Sequence, residues 1–244
     1  MMGSSQIAVF DLGMVLVEPV GLHEELAEIL GVTRQQMAEV YDIHRRPYDT
    51  GLPDRDYWSR TLAELDLDVT RGVGRDHAPG RPAAGVPTGD GDGAAPPGAG
   101  VDLDVLLPRL VEADLAGWST IRPDARRLLE DLGRADVPVV VLSNAPAALA
   151  VAASSFDWAG LVQQWFFSAP LGLTKPDPAV YAHVEQALAA TPDQLWFIDD
   201  RPENVAAASL RGWHAHRWRS AAEAGRWLAE SGLLPALPGE DAGS

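Results

Sequence analysis

Apolar residues in this chain fall into two patterns. Unbroken runs without alternation occupy Ile7 to Phe10, Val137 to Leu142 and Leu195 to Ile198, and each stops at polar residues: Asp11, then Ser143 and Asn144, then Asp199 and Asp200. A run rich in β-formers with no alternation predicts a strand buried on both faces of a parallel sheet. Between the runs, apolar positions recur at helical spacing. Ala125, Leu128, Leu129 and Leu132 mark a helix over Asp124 to Leu132, with Pro123 in its first turn and Gly133 as its expected cap. Val180, Tyr181, Val184 and Leu188 mark a second over Asp177 to Ala189, with Asp177 as N-cap and Pro178 at the first helical position. Glu203 to Leu210, a short strand at His214 to Trp218, a helix at Ala221 to Leu228 and a frayed tail from Pro235 complete the reading. In an open parallel sheet, ligands bind outside the carboxyl ends of the strands. Three strands stopping at Asp11, Ser143–Asn144 and Asp199–Asp200 therefore predict one crevice.

Residues 17–117 carry helical stripes only: Leu22, Leu26, Ile29 and Leu30; then Tyr57, Trp58, Leu62 and Leu65; then Leu103, Leu106, Leu107, Leu110 and Val111. They predict a helical unit inserted after the first strand, between core segments 1–16 and 118–234. Within it, Arg71 to Gly100 holds nine glycines and five prolines and no aromatic residue. Such a stretch buries too little apolar surface to offset ~1–2 kcal/mol of backbone ordering entropy per residue, so it reads as a flexible insertion. It is not a phosphate loop, because no G-x-x-x-x-G-K-[ST] pattern occurs in the chain.

Composition narrows the partners. The 244 residues carry a formal charge of -16, which disfavours nucleic acid and anionic membrane. A phosphorylated substrate would be repelled as well, unless a metal or a lysine reverses the sign locally. Cysteine is absent, so disulfides and thiolate chemistry are excluded; this fits a reducing cytoplasm, and the N-terminus shows no basic leader. Apolar runs fall far short of the ~20 residues that span a bilayer.

The strand ends supply the chemistry. Asp11 is a candidate nucleophile able to form an aspartyl-phosphate. Ser143 and Asn144 offer neutral donors for phosphoryl oxygens, and Lys175, ahead of Pro176, offers a cation. Asp199 and Asp200 are adjacent carboxylates whose repulsion a hard divalent cation relieves, magnesium foremost. Weaker signals are His214 and His216 on one strand face, a poor metal pair without a third ligand. Arg45 and Arg46 read as surface residues that could meet a substrate anion, and Trp118 as a packing residue where the inserted unit returns to the core.

Four segments in this order resemble the haloacid dehalogenase-like hydrolase superfamily, particularly its sugar-phosphate phosphatase branch: VFDLGMVLVEP at Val9 to Pro19, VVVLSNA at Val139 to Ala145, GLTKPDPAVYAHV at Gly172 to Val184, and WFIDDRPENV at Trp196 to Val205. The resemblance implies a Rossmann-like α/β core with an inserted helical cap, and Asp11 as nucleophile. It implies Mg2+ held by Asp11, the carbonyl of Gly13 and Asp200, with Asp199 acting through water or a hydrogen bond. It places Ser143, Asn144 and Lys175 around the phosphoryl group of a small phosphorylated metabolite, and Asn204 on the metal-side loop. One position departs. Family phosphatases carry a second aspartate, the general acid, two residues after the nucleophile; here that position is Gly13. General acid–base help is worth ~10²–10⁴-fold, so either another group or a water substitutes, or the leaving group needs little protonation, as the anomeric oxygen of glucose 1-phosphate does. Two other readings stand beside the phosphatase: a metal-free 2-haloacid dehalogenase, against which Asp199 and Asp200 speak, and a weakly catalytic interaction protein, which Gly13 favours.

Overall fold

The chain's centre is the strand β1, Ile7–Phe10, whose four residues are all buried. In this computed structural model, which describes residues 6–67, 69–70 and 101–235, the chain leaves β1 for a set of helices: α1 (Leu22–Leu30), α2 (Arg34–Val40), α3 (Arg45–Asp49), α4 (Asp54–Glu64) and, after a two-residue parallel pairing of β2 (Val69–Thr70) with β3 (Val101–Asp102), α5 (Leu103–Gly117). It returns through α6 (Pro123–Arg134), β4 (Val139–Ser143), α7 (Ala147–Ala152), β5 (Gln164–Phe167), α8 (Ser168–Leu171), α9 (Pro178–Leu188), β6 (Leu195–Asp199), α10 (Pro202–Leu210), β7 (His214–Arg217) and α11 (Ala221–Glu230).

The main sheet runs β5-β4-β1-β6-β7, with every neighbour parallel. Ala8 to Phe10 sit opposite Val139 to Val141 on one side, and Ile7 to Phe10 opposite Leu195 to Ile198 on the other. The register makes the unbroken apolar runs intelligible. Ala8, Phe10, Val139, Val141 and Ile198 pack on one face against Leu128, Leu129 and Leu132 of α6 and Ala224 and Leu228 of α11. Val9, Val140, Leu142 and Phe197 pack on the other against Tyr181 and Val184 of α9 and Trp213. Each large side chain so buried is worth ~1.5–3 kcal/mol, and neither face has room for a polar alternation. This is a Rossmann-like parallel sheet covered by helices, with a helical cap. The cap has its own cluster, including Leu26, Met37, Tyr57, Trp58, Leu62 and Leu110. Trp118 packs against both that cluster and the core, where the cap rejoins it.

Several expectations shift. The second strand begins at Val139 rather than Val137 and includes Ser143, because Asp136 takes a left-handed turn (φ 55°) and Pro138, which has no N–H, instead accepts from Ala8 N. Gly133 does not cap its helix; α6 continues to Arg134 and ends on Ala135. The cap does contain extended backbone, the short β2–β3 pair. Strand β5, at the sheet edge, is not among the expected strands, although its Trp165, Phe166 and Phe167 are β-formers. His214 and His216 stack on Trp196 and Trp227, with ring centroids 3.9 and 4.9 Å apart. The insertion 71–100 and the tail from 236 onward lie outside the described residues. Among the described residues, no helix is long and apolar enough to cross a membrane.

Candidate active site

Asp11 follows directly from β1, and its N–H donates to Ile198 O at the end of β6 (2.9 Å). The loop beyond it closes at once: Leu16 N and Val17 N both donate to Leu12 O (2.9 Å each), Met14 N donates to Val17 O, and Met14 takes φ 59° to make the turn. Leu12 N donates to Asp11 Oδ1 (2.7 Å), which fixes the carboxylate against its own backbone.

Lys175, on the loop between α8 and α9, lies between two carboxylates. Its Nζ is 2.9 Å from Asp11 Oδ1 and 2.6 Å from Asp199 Oδ2, and its side chain is 1% exposed. Burial alone would lower its pKa, but Asp11 and Asp199 outweigh burial and hold the ammonium above its usual range. The lysine backbone is clamped in turn. Asn144 Nδ2 donates to Lys175 O and Lys175 N donates to Asn144 Oδ1, both at 2.9 Å. The Asn144 amide, expected to face phosphoryl oxygens, thus uses both of its ends to position the lysine.

Asp199 is wholly buried and surrounded by donors. Besides Lys175, Asn204 Nδ2 reaches both of its oxygens (3.0 Å each) and Arg201 N reaches Oδ1 (2.8 Å). Its lone pairs are largely engaged by protein groups, so it serves the cluster through hydrogen bonds. Asp200 is partly exposed, and burial together with the Asp199 charge raises its pKa. Burial likewise pushes Asp11 up to about 6; Lys175 opposes the rise, Asp199 adds to it, and the Ser143 hydroxyl opposes it again by hydrogen bonding.

Ligand oxygens of Asp11, Asp199 and Asp200 lie within 4.8 Å of one another. Three carboxyl groups against one ammonium leave negative charge in excess, in an all-oxygen donor set. Such a set fits a hard divalent cation and no soft one. The carboxylates expected at the metal therefore do come together, with Gly13 on the loop that follows Asp11.

Around this centre lies a cap network that the sequence pattern did not reveal. Arg45 Nη1 donates to Tyr41 Oη (2.6 Å) and Asp114 Oδ2 (3.1 Å), and Arg45 Nε to Asp49 Oδ1 (3.2 Å). Tyr41 Oη donates to Asp114, and Trp118 Nε1 donates to Tyr41 Oη (3.0 Å). Arg45 is thus internally paired rather than a surface cation, while Arg46 is exposed. The available signal was Asp114, an acid within the apolar stripe of α5 beside Leu110 and Ala113.

Comparison with known proteins places the chain. Residues 9–210 match the family described as haloacid dehalogenase-like hydrolase. A sesquiterpene phosphatase of Aspergillus oryzae is 35% identical over 96 residues, covering 38% of this chain and 48% of that protein. A phosphatase of Mycobacterium tuberculosis is 33% identical over 110 residues, covering 44% and 50%. The chain therefore spans about half the length of these curated relatives. Among solved structures, a dehalogenase superposes with a TM-score of 0.64 at 17% identity, covering 94% of this chain and 99% of that one, a likeness of fold. With four motifs in order, the matching sheet and the match over residues 9–210, the chain belongs to the haloacid dehalogenase-like hydrolases.

Proposed function

We propose that this chain is a magnesium-dependent phosphomonoester hydrolase that acts through an aspartyl-phosphate on a small sugar phosphate or similar metabolite. The observation that carries this reading is the Lys175 ammonium held between Asp11 and Asp199 beside Asp200. It offers a nucleophile together with the means to bring a dianion to it, in a chain whose net charge would otherwise repel one. Asp11 attacks phosphorus. Lys175, held by Asn144, neutralises the nucleophile and a phosphoryl oxygen, and Ser143 donates to the same group. Asp11, the Gly13 carbonyl and Asp200 would hold magnesium, with Asp199 fixed behind them by Asn204. When bound, the cation offsets the repulsion between carboxylates and phosphate. Segments 1–16 and 118–234 form the catalytic core in this reading, and 17–117 the cap that selects the substrate.

The phosphatases among the relatives support this reading. The fold is shared with a dehalogenase; a 2-haloacid dehalogenase reading of this chain would put Asp11 on carbon without metal, so magnesium dependence separates the two. The test is a phosphate-release screen over sugar and nucleoside phosphates, with magnesium or with EDTA, alongside halide release from 2-chloropropionate. Magnesium-dependent phosphate release is expected, and Asp11→Asn is expected to abolish it while the circular dichroism spectrum stays unchanged. Full turnover in that variant would remove Asp11 from the role of nucleophile.

A further inference from the structure

Gly13 leaves the phosphatase reading without a proton donor for the leaving group, and the structure shows that its position has little room for one. An ideal Cβ on Gly13 would stand 3.3 Å from Trp118 Cζ3 and 3.7 Å from Cη2. The indole is held there by its bond to Tyr41 Oη within the Arg45–Asp114 network. The space beside residue 13 is aromatic and fixed.

The same network leads to another carboxyl group. Asp49 ends α3, where the cap meets the strand ends of the site. On the β1 side, Arg45 Nε donates to its Oδ1 (3.2 Å), and the Arg45 guanidinium lies 5.7 Å from the Trp118 ring that covers Gly13. On the β4 side, the Asp49 carbonyl accepts from Ser168 Oγ, which itself accepts from Ala145 N (2.9 Å), two residues beyond Ser143. On the β6 side, the charge of Arg201, next to Asp200, acts on its carboxyl group. The end of α3 that carries Asp49 is thus bonded beside the β4 loop and packs, through Arg45 and Trp118, toward Gly13 on the loop that follows Asp11.

Resting on the phosphomonoester reading above, we propose that Asp49 of the cap is the catalytic acid, protonating the leaving oxygen in place of a side chain at residue 13. An Asp11 oxygen forms a bond to phosphorus as the ester P–O bond breaks, and the departing alkoxide takes the Asp49 proton, giving the alcohol and an Asp49 carboxylate. Water then attacks the aspartyl-phosphate and yields its proton to Asp49. The P–O bond to Asp11 breaks, inorganic phosphate leaves, and both carboxyl groups return to their starting forms. Arg45, already 3.2 Å from Oδ1, stabilises the carboxylate formed midway. The resting group is suited to giving up a proton at neutral pH. Burial pushes it up to about 7, with Arg45 and Arg201 pulling it down and Asp114 pushing it up. An acid near neutrality is the efficient one.

The experiment compares kcat/KM, which includes departure of the leaving group, for p-nitrophenyl phosphate and for an alkyl phosphate such as glycerol phosphate, with magnesium. Asp49→Asn is expected to lose ~10²–10⁴-fold on the alkyl ester and far less on the aryl ester, whose phenolate leaves without a proton. Retained aryl turnover also reports a folded site. Asp49→Glu is expected to recover much of the alkyl activity. A residue that merely holds Arg45 would cost both substrates equally, and that result overturns the proposal, as does a glutamate variant no better than asparagine. A wild-type protein that hydrolyses aryl phosphates but no alkyl phosphate overturns it too, while leaving the phosphatase reading standing. A wild-type protein that releases phosphate from neither ester overturns both.

Discussion

Replacing Lys175 with methionine keeps the length of the side chain and removes the charge between Asp11 and Asp199. At 2.9 Å, a unit pair in an effective dielectric of ~20 is worth about 6 kcal/mol. Relaxation brings this toward the ~3–5 kcal/mol typical when one partner of a buried pair is removed. The pH dependence is more diagnostic than the size. In the native fold Asp11 stands at about 6 against an ordinary 3.8, a gap corresponding to ~3 kcal/mol. A carboxyl group raised on folding stabilises the fold fully below its unfolded value, and that stability is lost as pH rises through the folded value. Without Lys175, which pulls Asp11 down, the folded value moves higher still and the loss continues to higher pH. The deficit of the variant relative to wild type is therefore expected to grow by about 2–3 kcal/mol between about pH 5 and about pH 8. Urea unfolding followed by tryptophan fluorescence in EDTA, at both pH values, measures it. The same deficit at both would mean that Lys175 does not set the charge state of Asp11, and the electrostatic account of the site would be wrong.

Asn204→Ala removes a donor from both oxygens of the buried Asp199 and is expected to cost ~1–3 kcal/mol, read as a lower thermal midpoint with a parallel fall in magnesium affinity. Magnesium at a hundredfold excess over its Kd is expected to stabilise the wild-type fold by ~2.7 kcal/mol in differential scanning calorimetry. Asp200→Asn should abolish that gain, and an unchanged gain would place the ion elsewhere.

Elements that obey local rules were legible in the chain before any fold was known. The three unbroken runs suited strands buried on both faces, and the Asp177–Pro178 pair started a helix as N-caps and first-turn prolines do. Because each run ended at a polar residue, Asp11, Ser143, Asp199 and Asp200 were legible as candidates, and Lys175 joined them through the motif it sits in. Strand β5 was less legible, since a four-residue edge strand carries little periodicity. How these groups share their bonds was settled in three dimensions alone. Asn144 serves the Lys175 backbone, Asp199 is engaged by protein donors, and Trp118 fills the space beside Gly13. Arg45, Asp49, Asp114 and Tyr41 form one network although Asp114 is 69 residues from Arg45 in sequence. Helical periodicity reports which face of a helix is buried and not which polar group meets which. That pairing depends on how the cap sits on the sheet, a long-range arrangement with no local signature in the chain.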